Sequence, residues 1–137
     1  MAVQPGYKGK VEVNGNSVLE MATWAISGMN NEMLDSTSFE DSLLEFSPGR
    51  GDGGTVTFSG NYDPTDTPTG QGYLIARWVD KAAITNLYLY YSATGYFEKS
   101  AGNVYVVSVD GPSVDQAGLA TIGFTCKISG GYWKMHT

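Results

Sequence analysis

The chain has 137 residues, a formal net charge of −6 and one cysteine. This length predicts one domain, with 42% apolar and 12% aromatic residues to build its core. The acidic balance excludes a protein that grips nucleic acid phosphates, because that affinity depends on clustered Lys and Arg. The single cysteine excludes the disulfide-stapled secreted class. No signal peptide or membrane span is evident, so we expect a protein that is made in the cytoplasm and has no membrane anchor.

The N-terminal part predicts a β-hairpin. Residues 10–13 alternate polar and apolar side chains, and Asn14 and Gly15 supply the positive φ angles of a tight turn. A second strand is expected over residues 17–26. Residues 1–8, ahead of the hairpin, are expected to form a flexible N-terminal arm.

The following segment, residues 29–53, has neither strand nor helix periodicity and predicts a long loop. Structureless loops of more than about 12–15 residues are uncommon in compact domains and are usually functional. The apolar residues of this loop therefore require a partner surface. They are Met29, Met33, Leu34, Phe39, Leu43, Leu44 and Phe46.

A half-buried strand and a helix come next. Residues 54–62 alternate apolar and polar side chains, which predicts an antiparallel strand with one face in water. A helix is expected over residues 72–83, with Asp66, Thr67 and Thr69 as possible N-caps. One apolar stripe of this helix comprises Leu74, Ile75, Trp78, Val79 and Ala82.

Three further strands complete the predicted fold. Residues 84–91 are apolar on both faces, which is typical of a central strand. Residues 104–109 form a β-branched run that Asp110-Gly111-Pro112 is expected to end, and residues 119–128 alternate strictly. Residues 131–137 are expected to form a C-terminal tail. Residues 1–137 thus predict one mainly β domain, an antiparallel β-barrel or sandwich with one flanking α-helix and a long loop after the N-terminal hairpin.

The reactive side chains predict neither catalysis nor metal binding. The one histidine, His136, lies near the end of the sequence and is expected to be frayed. Cys126 lies in the apolar register of its strand and is expected to be a buried, inert thiol. Turn geometry and the start of the helix explain Asp63 and Asp66. We therefore expect no enzyme, no metal and no cofactor.

Other binding functions stay open on the sequence. A set of tyrosines is compatible with a stacking platform for sugars, or with strand positions that face a helix or second sheet. These are Tyr88, Tyr90, Tyr91, Tyr96 and Tyr105. A soluble β-sandwich carbohydrate-binding module is thus an alternative function. An esterase or glycosidase is disfavoured because a base and nucleophile pair is missing, and the adhesive tripeptide of residues 50–52 is a string that recurs by chance.

The negative charge is concentrated in one segment. Residues 29–66 have one arginine and eight acidic residues, a net of −7, whereas residues 1–28 sum to 0 and residues 67–137 to +1. Acidic and apolar residues together suggest a surface that docks onto a neighbour and repels polyanions, although a solvated acidic loop over the core is the alternative. The candidate carboxylates are Glu32, Asp35, Glu40, Asp41, Glu45, Asp63 and Asp66.

Five parts of the sequence, together with the predicted helix, form a pattern that covers nearly the whole chain, roughly residues 9–130. They are residues 9–15 (Gly-Lys-Val-Glu-Val-Asn-Gly), Trp24, and residues 34–41, 53–63 and 118–130. This pattern resembles the major tail tube proteins of tailed bacteriophages. The resemblance implies the tail-tube fold, which contractile injection machines share, and a structural subunit whose hexameric rings stack into a hollow tube.

The resemblance also implies roles for the acidic segment and for partners. Residues 29–53 would be the long inter-subunit loop, with its seven apolar residues at the interface. A lumen of negative potential would let DNA pass during ejection without specific binding, and a ring of six would carry six times −6, or −36, formal charges. The implied partners are further copies of the chain, a tape-measure protein, and tail-terminator or baseplate proteins, all in the virion tail.

Overall fold

Eleven β-strands and one helix make up the part of the chain that the computed structural model describes, residues 9–18, 20–40, 42–114, 116, 118 and 120–136. The predicted N-terminal arm, Asp41 and Leu119 lie outside the described residues. Within the described ranges, no helix is long and apolar enough to cross a membrane. The elements are β1 Lys10–Val13, β2 Asn16–Ser17, β3 Met21–Ser27, β4 Asn30–Asp35, β5 Phe46–Asp52, β6 Thr55–Asn61, α1 Gly70–Asp80, β7 Tyr88–Tyr90, β8 Tyr96–Ser100, β9 Asn103–Val114, β10 Ala120–Ser129 and β11 Tyr132–His136.

The strands form two main antiparallel sheets and a separate pair. One sheet has the order β11-β8-β7-β1-β2, the other has the order β3-β6-β10-β9, and β4 pairs with β5. The inward residues of both main sheets belong to one buried core. The predicted mainly β, sandwich-like fold with one flanking helix is thereby confirmed, and the sheets are open rather than closed into a barrel.

The core follows the alternation that the sequence displays. Val56 and Phe58 of β6 are buried, and on β10 Phe124 and Cys126 are buried opposite them. The rings of Phe58 and Phe124 lie 5.4 Å apart. Each fully buried side chain of this size contributes about 1.5–3 kcal/mol relative to an exposed one. The prediction that residues 54–62 form a half-buried strand is confirmed.

The second strand of the predicted N-terminal hairpin is split between the two sheets. Of the segment that follows the turn, only the short strand β2 pairs with β1, as Glu12 opposite Ser17 and Val13 opposite Asn16. The backbone then turns at Glu20, whose φ is 64°, and β3 joins β6 in the other sheet. The prediction of one continuous strand over residues 17–26 is therefore wrong, because this turn redirects the chain from one sheet to the other.

Two predicted strand boundaries also differ. The predicted strand over residues 84–91 is reduced to β7, because Asn86 has a φ of 52°; β7 does lie at the centre of its sheet. Conversely, β9 continues through Pro112 to Val114. An edge strand tolerates a proline whose missing N–H faces away from the ladder, and a register shift between Thr121 and Gly123 of β10 accommodates the irregularity.

The C-terminal residues form a strand rather than a tail. β11 pairs with β8 over five residues. His136 Nε2 lies 2.6 Å from Glu98 Oε1, and the imidazole stacks on the ring of Tyr96 at 4.6 Å. The expectation that His136 is frayed is wrong, because β8 supplies both an acceptor and an aromatic surface.

The helix α1 starts and ends earlier than predicted. Its N-cap is Thr69, without a side-chain hydrogen bond, and it ends at Lys81, which is left-handed with a φ of 56°. The Gln71 N–H donates to Asp66 Oδ2 at 2.9 Å, so Asp66 satisfies the first turn from the preceding loop. The helix is packed through its N-terminal half, where Leu74 is buried.

Candidate assembly surface

The segment predicted as a long loop is mostly a β-hairpin. Strands β4 and β5 pair antiparallel, from Asn30 opposite Asp52 to Asp35 opposite Phe46. We call residues 30–52 the hairpin arm. Every residue of both strands is exposed, and the pair forms a sheet of its own. The prediction of a structureless loop is wrong, because a hairpin with neither face buried has no polar and apolar alternation to reveal it.

The tip of the hairpin arm, residues 36–45, is held by its own hydrogen bonds. The Ser36 N–H donates to the Glu45 carbonyl at 2.9 Å, and the Glu45 N–H donates to Thr37 Oγ1 at 2.7 Å. The Thr37 N–H donates to the Asp35 carboxylate at 2.9 Å, which lowers the pKa of Asp35. The described residues of the tip thus have a defined shape, and all of them except Thr37 are exposed.

An ion pair fixes the base of the hairpin arm. Lys127 Nζ of β10 lies 3.1 Å from Asp52 Oδ1, and the Gly54 N–H donates to the same oxygen at 2.8 Å. The hydrogen bond from Gly54, followed by the bond from Lys127, lowers the pKa of Asp52. These contacts orient the hairpin arm relative to the four-stranded sheet.

Glycines permit the close approach at this base. A Cβ on Gly53 would meet the side chain of Ile128 and the carbonyl oxygen of Gly131. Gly54 has a φ of 91°, and a Cβ there would meet the carbonyl oxygen of Ser27. Gly53 and Gly54 therefore have a specific packing role where the hairpin arm joins β6.

The predicted interface residues lie on or beside the hairpin arm, and all are exposed. Phe39 is fully exposed at the tip, and Leu43 and Leu44 lie near it with most of their surface in solvent. The set that the structure brings together on this element is Met29, Met33, Leu34, Phe39, Leu43, Leu44 and Phe46. Exposed apolar residues concentrated in one short segment favour an interaction surface.

The candidate carboxylates divide into two groups. Glu32, Asp35, Glu40 and Glu45 are exposed on the hairpin arm, beside its apolar residues, and Asp41 lies outside the described residues. Asp66 is only 4% exposed. Its assignment to an acidic surface is wrong, because its carboxylate accepts a hydrogen bond at the start of α1.

Asp63 has a local structural role. Its carboxylate accepts hydrogen bonds from the hydroxyl of Thr65 at 2.6 Å and from the Thr65 N–H at 2.9 Å. These bonds, the hydroxyl bond first, lower the pKa of Asp63. The turn geometry inferred from the sequence is confirmed.

Sequence reasoning missed exposed apolar residues outside the hairpin arm. On α1, Trp78 is 50% and Val79 61% exposed although both belong to the predicted apolar stripe. The predicted apolar stripe continues beyond the N-terminal half of the helix, which is the half that is buried. This excess length is the signal that could have identified Trp78 and Val79 as exposed. Exposed apolar residues also occur on the outer strands, at Tyr105, Val107, Val114, Tyr132 and Met135.

The reactive and aromatic residues are engaged in internal contacts. Cys126 is buried, as predicted, and this burial raises the pKa of its thiol to about 12. Tyr96 contacts Tyr90 at 5.0 Å and His136 at 4.6 Å between ring centroids, and Lys10 Nζ lies 4.5 Å above Tyr90. The described residues contain no group of three His, Cys, Asp or Glu placed to hold a metal ion. Four of the five tyrosines named above therefore pack against other aromatic rings, whereas Tyr105 is 39% exposed.

Comparison with known proteins identifies the fold. No protein-family model matches the chain, and no curated protein matches it in sequence. A chain in the virion of a native gene transfer agent particle matches with a TM-score of 0.76 and 17% identity, over 98% of this chain and 100% of that one. A chain in the tail of an empty gene transfer agent particle, computed with helical refinement and C6 symmetry, matches with a TM-score of 0.75 and 17% identity, over 98% of this chain and 100% of that one.

A contractile system has the same fold. A chain in the sheath-tube complex of an extracellular contractile injection system, PVC, in its extended state matches with a TM-score of 0.73 and 13% identity, over 98% of this chain and 92% of that one. The tail-tube fold that the sequence resemblance implied is thus confirmed along nearly the whole chain.

Proposed function

We propose that the chain is a structural subunit of a phage tail tube. Hexameric rings of it stack into a hollow conduit for genome ejection, in the virion tail, after synthesis in the host cytoplasm. The observation that supports this most is the end-to-end correspondence of fold with a chain of a tail solved with C6 symmetry. The role is non-enzymatic, and no cofactor is needed for it.

The hairpin arm is the proposed contact between subunits. An isolated two-stranded hairpin is marginally stable in water, and this one has every strand residue in solvent. Packing against a neighbouring copy would remove its apolar side chains from water. Phe39, Leu43, Leu44 and Phe46 are the proposed anchors, because apolar residues surrounded by a polar rim dominate the energy of many interfaces.

The acidity of the subunit is proposed to keep DNA moving. The net charge of −7 over residues 29–66 would give the conduit a negative potential, which repels the DNA backbone. DNA would then pass without specific binding. Tape-measure, tail-terminator and baseplate proteins are proposed as the further partners of the tube.

Electron microscopy of the purified protein tests the proposal. We expect rings or tubes with sixfold symmetry in negative stain. Phe39→Asp and Leu43→Asp should remain folded by circular dichroism and lose tube formation, because each places a charge at a proposed apolar anchor. Thr94→Asp, in the exposed turn between β7 and β8, is the matched control and should assemble.

Two outcomes would contradict the proposal. A persistent monomer that is retarded on immobilised polysaccharide would favour the carbohydrate-binding alternative, which the contacts of Tyr96 with Tyr90 and His136 disfavour. Tubes formed normally by both the Phe39 and Leu43 variants would remove the hairpin arm from the interface.

A further inference from the structure

The helix α1 carries an apolar face that its own subunit only partly covers. Ile75, Trp78 and Val79 are spaced i, i+3 and i+4 and so share one side of the helix. Ile75 is partly buried against the core, whereas Trp78 is 50% and Val79 61% exposed. We call these three residues the helix face. Tryptophan is enriched among the residues that dominate interface energies, so a half-exposed tryptophan beside an exposed valine indicates a binding surface.

Two basic residues lie at the C-terminal end of α1, outside the helix face. Arg77 lies next to Trp78, with its guanidinium 4.7 Å from the centre of the Tyr73 ring, and Lys81 follows the last turn of the helix in an exposed position. Asp80 is the one acidic neighbour within residues 74–84. Residues 77–81 have two basic groups and one acidic group, a net charge of +1. The partner that fits is therefore apolar where it meets the helix face and acidic where it meets this end of the helix.

The tip of the hairpin arm has this composition. It presents Phe39, Leu43 and Leu44 to solvent, with Glu40 and Glu45 exposed among them. Because the tip and the helix face are both exposed in one subunit, each is available to another copy. Two different surfaces that join in this way form a heterologous contact, which generates rings or open helical assemblies.

We propose that the tip of the hairpin arm of one subunit packs on the helix face of a neighbouring subunit. The proposal rests on the tube function and specifies its contact. Phe39 packs against Trp78 as an aromatic pair, for which the preferred separation of ring centroids is about 4.5–7 Å. Glu40 and Glu45 face the C-terminal end of α1, where Lys81 is exposed, and this complementarity of charge favours one orientation of the contact.

Cross-linking between copies tests this contact. Subunits with Phe39→Cys are mixed with subunits with Trp78→Cys, assembled into tubes and treated with a short bifunctional maleimide. We expect a cross-linked dimer that appears only after assembly. The native Cys126 is buried and does not compete. A mixture of Phe39→Cys with Thr94→Cys is the matched control and should give at least tenfold less product.

A second pair of cysteine variants keeps the test valid if the Phe39 or Trp78 variant fails to assemble. Glu40→Cys and Lys81→Cys repeat the distance test at the rim. Separately, Trp78→Ala should raise the critical concentration for assembly about tenfold or more. Lys81→Glu should raise it about two- to fivefold, the range of an exposed ion pair, and Glu40→Lys should restore assembly in the Lys81→Glu background.

The outcomes separate this contact from the function on which it rests. Tubes that form without cross-linking at either residue pair, or that form normally with Trp78→Ala, would overturn the contact and leave the tube function standing. A wild-type protein that forms neither rings nor tubes would overturn both.

Discussion

Gly60 is a position where the absence of a side chain permits two strands to pair. It lies on β6 opposite β3, next to the register shift between Met21 and Thr23. A Cβ on Gly60 would meet the carbonyl oxygen of Glu20 and lie 2.7 Å from the Cα of Met21. These are backbone atoms, which cannot rotate away. The turn that sends the chain from one sheet to the other therefore depends on this glycine.

We expect Gly60→Ala to destabilise the fold by about 1–3 kcal/mol, the usual cost of forcing extra atoms into a packed site. Gly123→Ala, on the adjacent strand β10, is the matched control because its nearest contact would be an ordinary 3.6 Å from the Cβ of Ser59. Urea denaturation followed by fluorescence measures both. Equal midpoints for the two variants would show that the backbone relaxes at Gly60.

Asp52 offers a pH-dependent test of the base of the hairpin arm. Its pKa should lie below the ordinary 3.8, chiefly because the Gly54 N–H donates to it and also because Lys127 pairs with it. A depressed pKa in the folded state contributes stability above the ordinary pKa, and this contribution is lost as the pH falls through the folded-state pKa. Any stability that the pair contributes is therefore present at neutral pH and lost under acid conditions.

Carboxyl chemical shifts in NMR measure this pKa. We expect Lys127→Met to raise the pKa of Asp52 while leaving it below 3.8, because the hydrogen bond from Gly54 remains. Asp63, whose pKa is lowered by Thr65, is the internal control and should not change. An Asp52 pKa at or above the ordinary value in the wild type would contradict the geometry of the base.

At the scale of elements, the sequence predicted those strands in which burial of one face imposes an alternation of apolar and polar residues. Strands β6 and β10 have one face in the core, so their apolar residues alternate and both were predicted. The hairpin arm has no buried face, so its strands carry no period. Strand β11 has a single buried position, Trp133, and five residues with one buried side chain are indistinguishable from a tail in sequence.

The candidate surface was predicted by composition rather than by structure. Apolar residues in a segment without periodicity identified the hairpin arm, and all seven of them are exposed. The helix face was not identified, because the spacing of Ile75, Trp78 and Val79 is the same whether a core or another subunit covers it. Periodicity shows which residues share a side of a helix but not what lies against that side.

Hydrogen exchange should distinguish the hairpin arm from the core. In the free subunit, the amides of β4 and β5 should exchange fastest among the strands, since they pair only with each other in the described sheets, and exposed isolated ladders open locally. The amides of β6 and β10, which have partners on both sides, should exchange slowest.

Assembly should reverse this order for the hairpin arm. Mass spectrometry of exchanged tubes is expected to show residues 30–52 protected at least tenfold relative to the free subunit, with β6 and β10 little changed. Unchanged exchange over residues 30–52 in tubes would contradict an arm that packs on a neighbour.

For the whole molecule, charge sets the conditions of assembly. Each subunit has a net charge of −6, so copies repel one another at low salt. Raising the salt from about 0.01 M to about 0.1 M shortens the Debye length from about 30 Å to about 10 Å. The few ion pairs proposed at the arm contact weaken over the same range, but each is small in energy.

We therefore expect tubes to form faster at about 0.1 M salt than at about 0.01 M, as followed by light scattering. Arg77→Gln and Lys81→Gln, which make the subunit more negative, should steepen this dependence. Assembly that slows as salt is added would mean that attraction between opposite charges, and not screening of the net charge, dominates the encounter.

The separation of the hairpin arm from the helix face also gives an assembly a direction. When every joint unites two unlike surfaces, no twofold axis relates one side of a ring to the other, so its two sides differ. Rings stacked in one orientation then build a polar filament with unlike ends. Growth can be fast at one end and slow at the other, and a protein that stops elongation needs to match only the end it caps.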